Sequence, residues 1–275
     1  MRVLFRWRPF PLDSMLSKAL EVGFYHMVTK YVTMWPEKSI GLLYSKLYGT
    51  YGKEPFTLKD VSDLIGNYQL AKVYMYRLRR VGWAYRIALK EVKFRLHPPE
   101  ICVLQASGTI KNLNSIKQQE YCGLIGAYLA KVLKNRLEVK SVVLYGSVAR
   151  GCARRDSDVD LLIVAEKPRE IWDALIKAEM DEEVEEELEW LSRNGIDTHI
   201  TILPMSVGRL KLHPFILLDI VDEGIVLYDD GTYEREAVEM RKRLKQLGAK
   251  RVFLSEDEWY WDLKPSFKPG EVVEI

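Results

Sequence analysis

The hydrophobic pattern before residue 100 predicts three helices in succession. The first has apolar residues three or four positions apart and stops near Gly49; these positions are Ile40, Leu43, Tyr44, Leu47 and Tyr48. Thr57 is a predicted N-cap for the second helix, because Asp60 follows it three residues later. A turn at Gly66-Asn67 precedes the third helix, whose predicted buried positions are Leu70, Val73, Leu78 and Val81.

Residues 83–99, WAYRIALKEVKFRLHPP, predict two short strands that join near Lys90-Glu91 and end at Pro98-Pro99. Burial of the apolar side of the third helix leaves a polar face outside, formed by Gln69, Lys72, Tyr76 and Arg79. The predicted hairpin carries cations that can contact phosphates, namely Arg86, Lys90, Lys93 and Arg95.

Three helices followed by a basic hairpin resemble a winged helix-turn-helix domain, here over residues 38–99. The resemblance implies that this domain binds DNA or RNA through its exposed helix face and its hairpin. A solvated basic face and a winged helix that contacts proteins are the two alternatives.

From residue 100 onward, the pattern alternates between predicted strands and helices. Residues 100–114 predict a strand and a linker, and residues 115–137 predict a long helix. Residues 169–193 predict a helical stretch with its glutamates on a solvated outer face and a buried stripe of Met180, Val184, Leu188 and Leu191. The later predicted elements are a strand over 197–203 ended by Pro204, helices over 205–212, 214–223 and 232–247, a strand within 224–231 and an extended tail.

Composition and charge narrow the class of protein. The chain has 275 residues, 48% of them hydrophobic, and a formal net charge of +2. No apolar run approaches the length of a membrane span, and the N-terminus does not have the pattern of a signal peptide. The three cysteines, Cys102, Cys122 and Cys152, are odd in number and widely spaced, which favours reduced thiols and a cytoplasmic location. Residues 66–95 contain eight Lys/Arg and one Glu, so a basic surface is expected there.

The stretch LYGSVARGCARRDSDVDLLIV, residues 144–164, carries the candidate chemistry. Gly146 permits a sharp turn after a buried strand, and Ser147 begins the next helix. Backbone N–H groups at such a turn, together with the seryl hydroxyl, are suited to hold phosphate oxygens. Arg154 and Arg155 lie in the following loop, from which they can reach a polyphosphate.

Asp158 and Asp160 stand two residues apart at the start of the second apolar strand, so they point to the same side. Neighbouring carboxylates repel unless a cation lies between them, and Mg²⁺ prefers oxygen ligands. Taken singly, each aspartate has a structural alternative: Asp158 can hydrogen-bond the loop, and Asp160 can pair with an arginine. The combination of the Gly-Ser turn with both aspartates is what indicates a phosphate and metal site.

This combination resembles the nucleotidyltransferase superfamily that includes DNA polymerase beta, and in particular its minimal nucleotidyltransferase branch, over residues 115–230. The resemblance implies an α+β fold with a mixed β-sheet flanked by helices. It also implies transfer of a nucleoside monophosphate from a nucleotide triphosphate to an acceptor hydroxyl, with Gly146 and Ser147 holding the triphosphate. Asp158 and Asp160 would be ligands of two metal ions, Mg²⁺ or Mn²⁺. Some members of the branch are antitoxins that modify a toxin, so a protein acceptor or toxin partner is implied as well.

Catalytic members of the family carry a third carboxylate on a later strand, and Asp197 is the predicted residue here. Judged by the distance from Pro204, that position could equally fall at Thr198 or His199. A histidine would remove an anionic ligand, and the chain would then be a DNA-binding regulator that senses a nucleotide without turning it over. The predicted map has an N-terminal extension (1–37), a winged helix (38–99), a linker (100–114), a nucleotidyltransferase domain (115–230) and a C-terminal helix with an extended tail (231–275).

Overall fold

The structure is a computed structural model that describes residues 38–88, 91–135, 138–254 and 258–266. The predicted extension over residues 1–37 and the hairpin residue Lys90 lie outside the described residues. The first elements are α1 (Lys38–Tyr51), α2 (Leu58–Ile65), α3 (Tyr68–Arg80), β1 (Ala84–Ala88) and β2 (Val92–Leu96). They confirm the predicted order of three helices and two antiparallel strands.

Capping side chains define where α2 and α3 begin. The Thr57 hydroxyl accepts a hydrogen bond from the Asp60 N–H at 3.3 Å, and the Asp60 carboxylate accepts one from the Thr57 N–H at 2.7 Å. This reciprocal capping box confirms Thr57 as the N-cap of α2. Asn67 caps α3 in a similar way, because its side chain accepts from the Leu70 N–H at 2.9 Å.

The buried side of α3 differs from the prediction. Ala71, Met75 and Leu78 face the core, whereas Leu70 and Val73 are 37% and 44% exposed. Ala71, Met75 and Leu78 follow helical spacing just as Leu70, Val73 and Leu78 do, so hydrophobicity alone did not fix the rotation of the helix. The small Ala71 side chain allows the helix to approach the core closely.

The remaining elements, in chain order, are α4 (Pro99–Ala106), two short 3₁₀ helices (Leu113–Ser115 and Gln119–Tyr121), α5 (Cys122–Lys134), β3 (Val139–Tyr145), α6 (Gly146–Arg150), β4 (Val159–Ala165), α7 (Pro168–Glu179), α8 (Glu182–Arg193), β5 (Ile200–Ser206), α9 (Val207–Leu210), α10 (Ile216–Glu223), β6 (Ile225–Asp229), α11 (Thr232–Leu247), β7 (Lys250–Phe253) and β8 (Trp259–Asp262). The predicted helix over residues 232–247 is confirmed, including its end at Gly248.

Several predicted elements in this half are wrong. The predicted strand and linker over residues 100–114 contain α4 instead, which begins at Pro99 because proline is favourable in the first turn of a helix. The long helix over 115–137 is shorter, since 3₁₀ turns occupy its expected start. The helical stretch over 169–193 is confirmed as two helices, α7 and α8, but Met180 between them is 69% exposed rather than buried.

Strands β3 to β6 form a mixed four-stranded sheet in the order β5-β4-β3-β6, in which β4 and β5 are parallel and the other neighbours are antiparallel. Alternate residues of the strands pack against helices on opposite faces. Val142 and Leu161 belong to the cluster that contains α5, α7 and α8, whereas Val143 and Leu162 pack with α10 and α11. This arrangement confirms the predicted α+β class and the mixed sheet flanked by helices.

The β1–β2 hairpin packs between the helices α1 to α3 and the four-stranded sheet with its helices. Tyr85 and Ile87 on β1 belong to the core of the four-stranded sheet, whereas Ala84 belongs to the core of α1 to α3. The predictions that Arg95 contacts phosphates and that the acidic helix has only solvated glutamates are wrong. Arg95 and Glu187 are both buried and form an ion pair with each other.

β5 lies at the edge of the sheet and is shifted from its predicted position. It begins at Ile200 and continues through Pro204 to Ser206, so the predicted helix over residues 205–212 is reduced to α9. A proline is tolerated in β5 because an edge strand leaves one row of backbone groups unpaired. Asp197 therefore precedes the strand rather than beginning it.

The three cysteines, Cys102, Cys122 and Cys152, are free thiols. Within the described ranges, no helix is both long and apolar enough to pass through a bilayer.

Candidate functional site

The turn between β3 and α6 brings glycine backbone against a carboxylate. β3 ends at Tyr145, and Gly146 follows with φ of +72°. A Cβ atom added to Gly146 would overlap the Asp160 carboxylate, so only glycine suits both the backbone conformation and this close approach. The structure therefore brings together Gly146 and Asp160, as the sequence predicted, with Ser147 next to them at the start of α6.

The two aspartates lie at the beginning of β4, where it leaves the loop. Val159 between them points into the core, so Asp158 and Asp160 lie on the opposite side of the strand, the side of α10 and α11. Asp160 pairs across the sheet with Tyr145 and is parallel-paired with Thr201. The predicted convergence of the two aspartates at the Gly146 turn agrees with this geometry.

Burial raises the pKa of the Asp160 carboxyl, and the neighbouring charge of Asp158 raises it further. Arg150 and His199 act in the opposite direction and lower this pKa. Repulsion between two carboxylates at a partly buried position is the electrostatic condition that a bound cation relieves. Two hard oxygen donors on one side of a strand fit Mg²⁺ or Mn²⁺, and the nearby Arg150 guanidinium compensates part of their negative charge.

The structure does not bring Asp197 to this pair. Its side chain is exposed, and its backbone N–H donates to the Arg155 carbonyl at 2.7 Å in the preceding loop. His199 lies there instead: its Nδ1 is 2.9 Å from Oδ1 of Asp158. Throughout the described part of the chain, no group of three His, Cys, Asp or Glu side chains is arranged to hold a metal ion. The prediction that Asp197 completes a metal site is not supported by this arrangement.

The parallel register explains why His199 faces the aspartates. Val159 pairs with Ile200, and Asp160 with Thr201, so the residue beside Asp158 is His199. A sequence does not reveal the register between strands that are far apart in the chain. Glu179 at the end of α7 is also close to His199: burial raises the pKa of its carboxyl, and His199 lowers it.

The loop between α6 and β4 is held by hydrogen bonds to side chains from other parts of the chain. The Gln118 side chain donates to the Ala153 carbonyl at 3.0 Å and accepts from the Ala153 N–H at 2.7 Å. The Thr198 hydroxyl donates to the Ser157 carbonyl at 2.8 Å. Arg154 and Arg155 are exposed on this loop, the position predicted for residues that reach a polyphosphate.

Arg150 lies outside the set of predicted site residues, yet its charge acts on Asp160. It ends α6 four residues after Gly146, and its Nη1 donates to Oε1 of Glu223 at 2.6 Å. The guanidinium also lies over the Trp259 ring, 5.0 Å from its centroid. Its place one helical turn after the Gly-Ser pair is the sequence signal that could have identified it.

The predicted nucleic-acid face is distributed over α3 and β1. Gln69, Lys72 and Tyr76 are exposed on α3, and Arg86 is exposed on β1. Lys72 Nζ lies over the Tyr68 ring, 4.6 Å from its centroid. Arg79 differs from the prediction, because it is half-buried and its Nε is shielded from solvent.

Comparison with known proteins finds a family match for one stretch in the second part of the chain. Residues 127–227 match the family model described as "Nucleotidyltransferase domain". The prediction of a nucleotidyltransferase domain is confirmed for this stretch. No curated protein matches the chain at a significant level. One similar solved chain comes from a structure titled "Crystal structure of the toxin-antitoxin with AMP-PNP"; it is 20% identical, with a TM-score of 0.27, and the similarity covers 44% of this chain and 86% of that one.

Proposed function

We propose that this chain is a nucleotidyltransferase that transfers a nucleoside monophosphate from a nucleotide triphosphate to an acceptor hydroxyl. One observation carries the proposal: the Asp160 carboxylate lies against the Gly146 backbone, with Asp158 on the same side of the strand. Phosphate-binding backbone and metal-binding carboxylates are thereby adjacent, which a site for a metal-bound triphosphate requires. The match of residues 127–227 to the nucleotidyltransferase domain supports the same reaction class.

In this proposal, the backbone N–H groups at Gly146 and the Ser147 hydroxyl hold the triphosphate, and Arg154 and Arg155 contact its outer phosphates. Asp158 and Asp160 would hold two ions, Mg²⁺ or Mn²⁺. The chemistry that these ions supply when bound is neutralisation of triphosphate charge and a lower pKa for the acceptor hydroxyl. The acceptor oxygen bonds to the α-phosphorus, the bond to the pyrophosphate oxygen breaks, and the hydroxyl proton leaves to solvent. The acceptor is a protein, for example a partner toxin, or an RNA.

A second candidate function is a DNA-binding regulator that senses a nucleotide without turning it over. The position of His199 favours it, because an imidazole rather than a carboxylate lies 2.9 Å from Asp158. In this alternative, α1 to β2 act as a winged helix. Gln69, Lys72 and Tyr76 on α3 contact a duplex, and Arg86 on β1 contacts its phosphates. Bound nucleotide would then change duplex affinity.

The deciding experiment combines binding with transfer. Each of the four nucleotide triphosphates, labelled on the α-phosphate that is transferred, is incubated with the protein and Mg²⁺ or Mn²⁺. Cell-extract proteins and RNA serve as acceptors. Asp160→Asn removes one anionic ligand, and the matched control is Asp156→Asn, at an exposed aspartate in the loop that precedes β4. We expect label transfer by the parent and by Asp156→Asn, and its loss in Asp160→Asn.

The outcomes separate the two functions. Binding by the parent without transfer to any acceptor favours the regulator. Equal nucleotide affinity for the parent and Asp160→Asn, measured by calorimetry with Mg²⁺, would show that Asp160 is not a metal ligand. Absence of binding to all four nucleotides would exclude both functions.

A further inference from the structure

The C-terminal hairpin of β7 and β8 is fastened to α10 through one carboxylate. The indole N–H groups of Trp259 and Trp261 both donate to Oδ1 of Asp219, at 3.1 and 2.9 Å. These bonds, together with the neighbouring Arg251, lower the pKa of the Asp219 carboxyl, although its burial acts in the opposite direction. The two tryptophans stand two positions apart on β8, so their side chains lie on the same side of the strand and share one acceptor.

Arg251 on β7 strengthens the attachment and orients Trp259. Its guanidinium donates to Asp219 at 3.0 Å, to Asp222 at 3.1 Å and to Glu223 at 2.9 Å. It also lies over the Trp259 ring, 4.3 Å from the centroid. The ring is thus held both by its N–H group and by a cation.

The ring of Trp259 also contacts Arg150, which belongs to the candidate site. The Arg150 guanidinium lies over this ring at 5.0 Å and donates to Glu223, the carboxylate that Arg251 also contacts. The backbone carbonyl of Arg150 accepts a hydrogen bond from Lys117 Nζ at 2.9 Å, so both its main chain and its side chain are held. The C-terminal hairpin therefore reaches the helix that begins at Gly146.

We propose that Trp259 is a positioning residue for the nucleotide site: it holds the Arg150 guanidinium where that group can contact the phosphates of a bound triphosphate. The inference rests on the proposed function. An arginine side chain has many rotamers, and fixing it before the ligand arrives removes part of the entropic cost of binding. A guanidinium has five N–H donors, so the bond to Glu223 leaves capacity for phosphate oxygens. Because Arg251 also pairs with Glu223, a shift of Arg150 toward phosphate does not leave that carboxylate without a cation.

Inorganic tripolyphosphate with Mg²⁺ is the probe, because it tests the phosphate site without requiring the correct base. Calorimetric titration compares the parent with Arg150→Met, with Trp259→Leu and with the double variant. We expect each single variant to weaken binding about fivefold, the size of a partly desolvated cation–π contact. The double variant should bind no more weakly than Arg150→Met, because Trp259 acts through Arg150.

Two control variants separate positioning from general support of the fold. Tyr260→Leu changes the neighbouring residue on the other side of β8, which is 51% exposed, and should bind like the parent. Trp259→Phe keeps an aromatic face for the guanidinium and should restore most of the affinity. Losses in Trp259→Leu and Arg150→Met that multiply in the double variant would overturn the proposal.

A second measurement keeps the inference separate from the proposed function. The side-chain Nε–H resonance of Arg150 is recorded by NMR without any ligand. We expect it to shift or broaden in Trp259→Leu but not in Tyr260→Leu. An unchanged resonance overturns the positioning role even if the protein binds triphosphate. A shifted resonance in a protein that does not bind tripolyphosphate overturns the phosphate site and, with it, the proposed function.

Discussion

The guanidinium of Arg95 donates two hydrogen bonds to the carboxylate of Glu187, from Nη1 at 2.7 Å and from Nη2 at 3.0 Å. Its Nε donates to the Lys53 carbonyl at 2.6 Å, and its flat face lies 4.1 Å from the centroid of Trp190. Arg95 belongs to the β1–β2 hairpin and Glu187 to α8 of the nucleotidyltransferase domain. A buried, bidentate ion pair thus joins the hairpin to that domain, and this cation is not available to bind nucleic acid.

Glu187→Gln should lower the free energy of unfolding by about 3–5 kcal/mol, because it leaves the buried Arg95 charge without its partner. Glu186→Gln is the matched control, since the neighbouring Glu186 is exposed and pairs with Lys53 at the surface, where such a pair contributes about 0.2–1 kcal/mol. Urea denaturation measures both variants. Equal losses in the two variants would contradict the buried ion pair as the source.

His97 predicts a loss of stability in acid. Burial and, as the smaller cause, the neighbouring Arg95 charge together lower the pKa of the His97 imidazole to about 3. The unfolded chain binds a proton near pH 6.5 that the folded chain excludes, so stability is fully present above that pH and falls toward pH 3. Between pH 7 and pH 5, this one group should cost about 2 kcal/mol. His97→Leu should reduce the pH dependence of urea midpoints over that interval; an identical slope in parent and variant would contradict it.

The part of the site that the sequence predicted is the part that lies within one stretch of chain. Asp158 and Asp160 point to one side because side chains alternate along a strand, and Gly146 meets Asp160 because the two neighbouring strands of this stretch, β3 and β4, pair with each other. His199 beside Asp158 depends on the register of two parallel strands, which local pattern does not determine. Arg95 and Glu187 are 92 residues apart, and their charges looked like surface charges until the packing of the hairpin was known.

The same limit applies to the fold: features that depend on neighbouring residues were predicted, and features that depend on tertiary packing were not. Capping at Thr57 and the end of α11 at Gly248 were predictable, because both depend on neighbouring residues. The rotation of α3 was not, because Leu70 and Ala71 offer alternative apolar faces and the tertiary core selects the second. When a helix has two apolar faces of similar hydrophobicity, tertiary packing determines which of them is buried.

Gly146→Ala should lower the folding stability of the protein and also weaken triphosphate binding at the candidate site. An alanine at φ of +72° costs about 1–2 kcal/mol in backbone energy alone. The added Cβ would also displace the Asp160 carboxylate, so Mg²⁺-dependent triphosphate binding should weaken as well. Gly49→Ala in α1 is the control: nothing lies near its Cβ position, and an alanine there should stabilise the helix by about 0.5–1 kcal/mol. Effects of the same sign at both glycines would refute this explanation.

Lys72 tests the nucleic-acid face. If Lys72 contacts a phosphate, the logarithm of duplex affinity should fall with the logarithm of salt concentration, by about 0.9 per contact. Lys72→Met should then make the slope shallower by about 0.9. Lys46→Met on exposed α1 is the control and should leave the slope unchanged. Fluorescence anisotropy with a labelled duplex measures the affinity of both variants at several salt concentrations. Duplex affinity that does not change with salt concentration would favour a protein-contact surface instead.

His199→Asp should strengthen the metal site, and it separates the enzyme from the regulator. The imidazole Nδ1 lies 2.9 Å from Asp158, so an aspartate at this position places a third carboxylate beside the existing pair. Added ligand charge should tighten Mg²⁺-dependent triphosphate binding by about tenfold, as measured by calorimetry. Asp197→Asn is the control and should leave affinity unchanged, because the contact that Asp197 makes with Arg155 is through its backbone N–H.

Single-turnover transfer by the same two variants completes the test. A parent that transfers slowly and a His199→Asp variant that transfers faster would identify the missing third carboxylate as the limit on catalysis. A parent that transfers efficiently, and loses activity in His199→Asp, would instead mean that the imidazole beside Asp158 is part of the catalytic site. If Asp197→Asn reduces transfer while His199→Asp does not change it, the third ligand is Asp197, and the arrangement around Asp158 must change when the nucleotide binds.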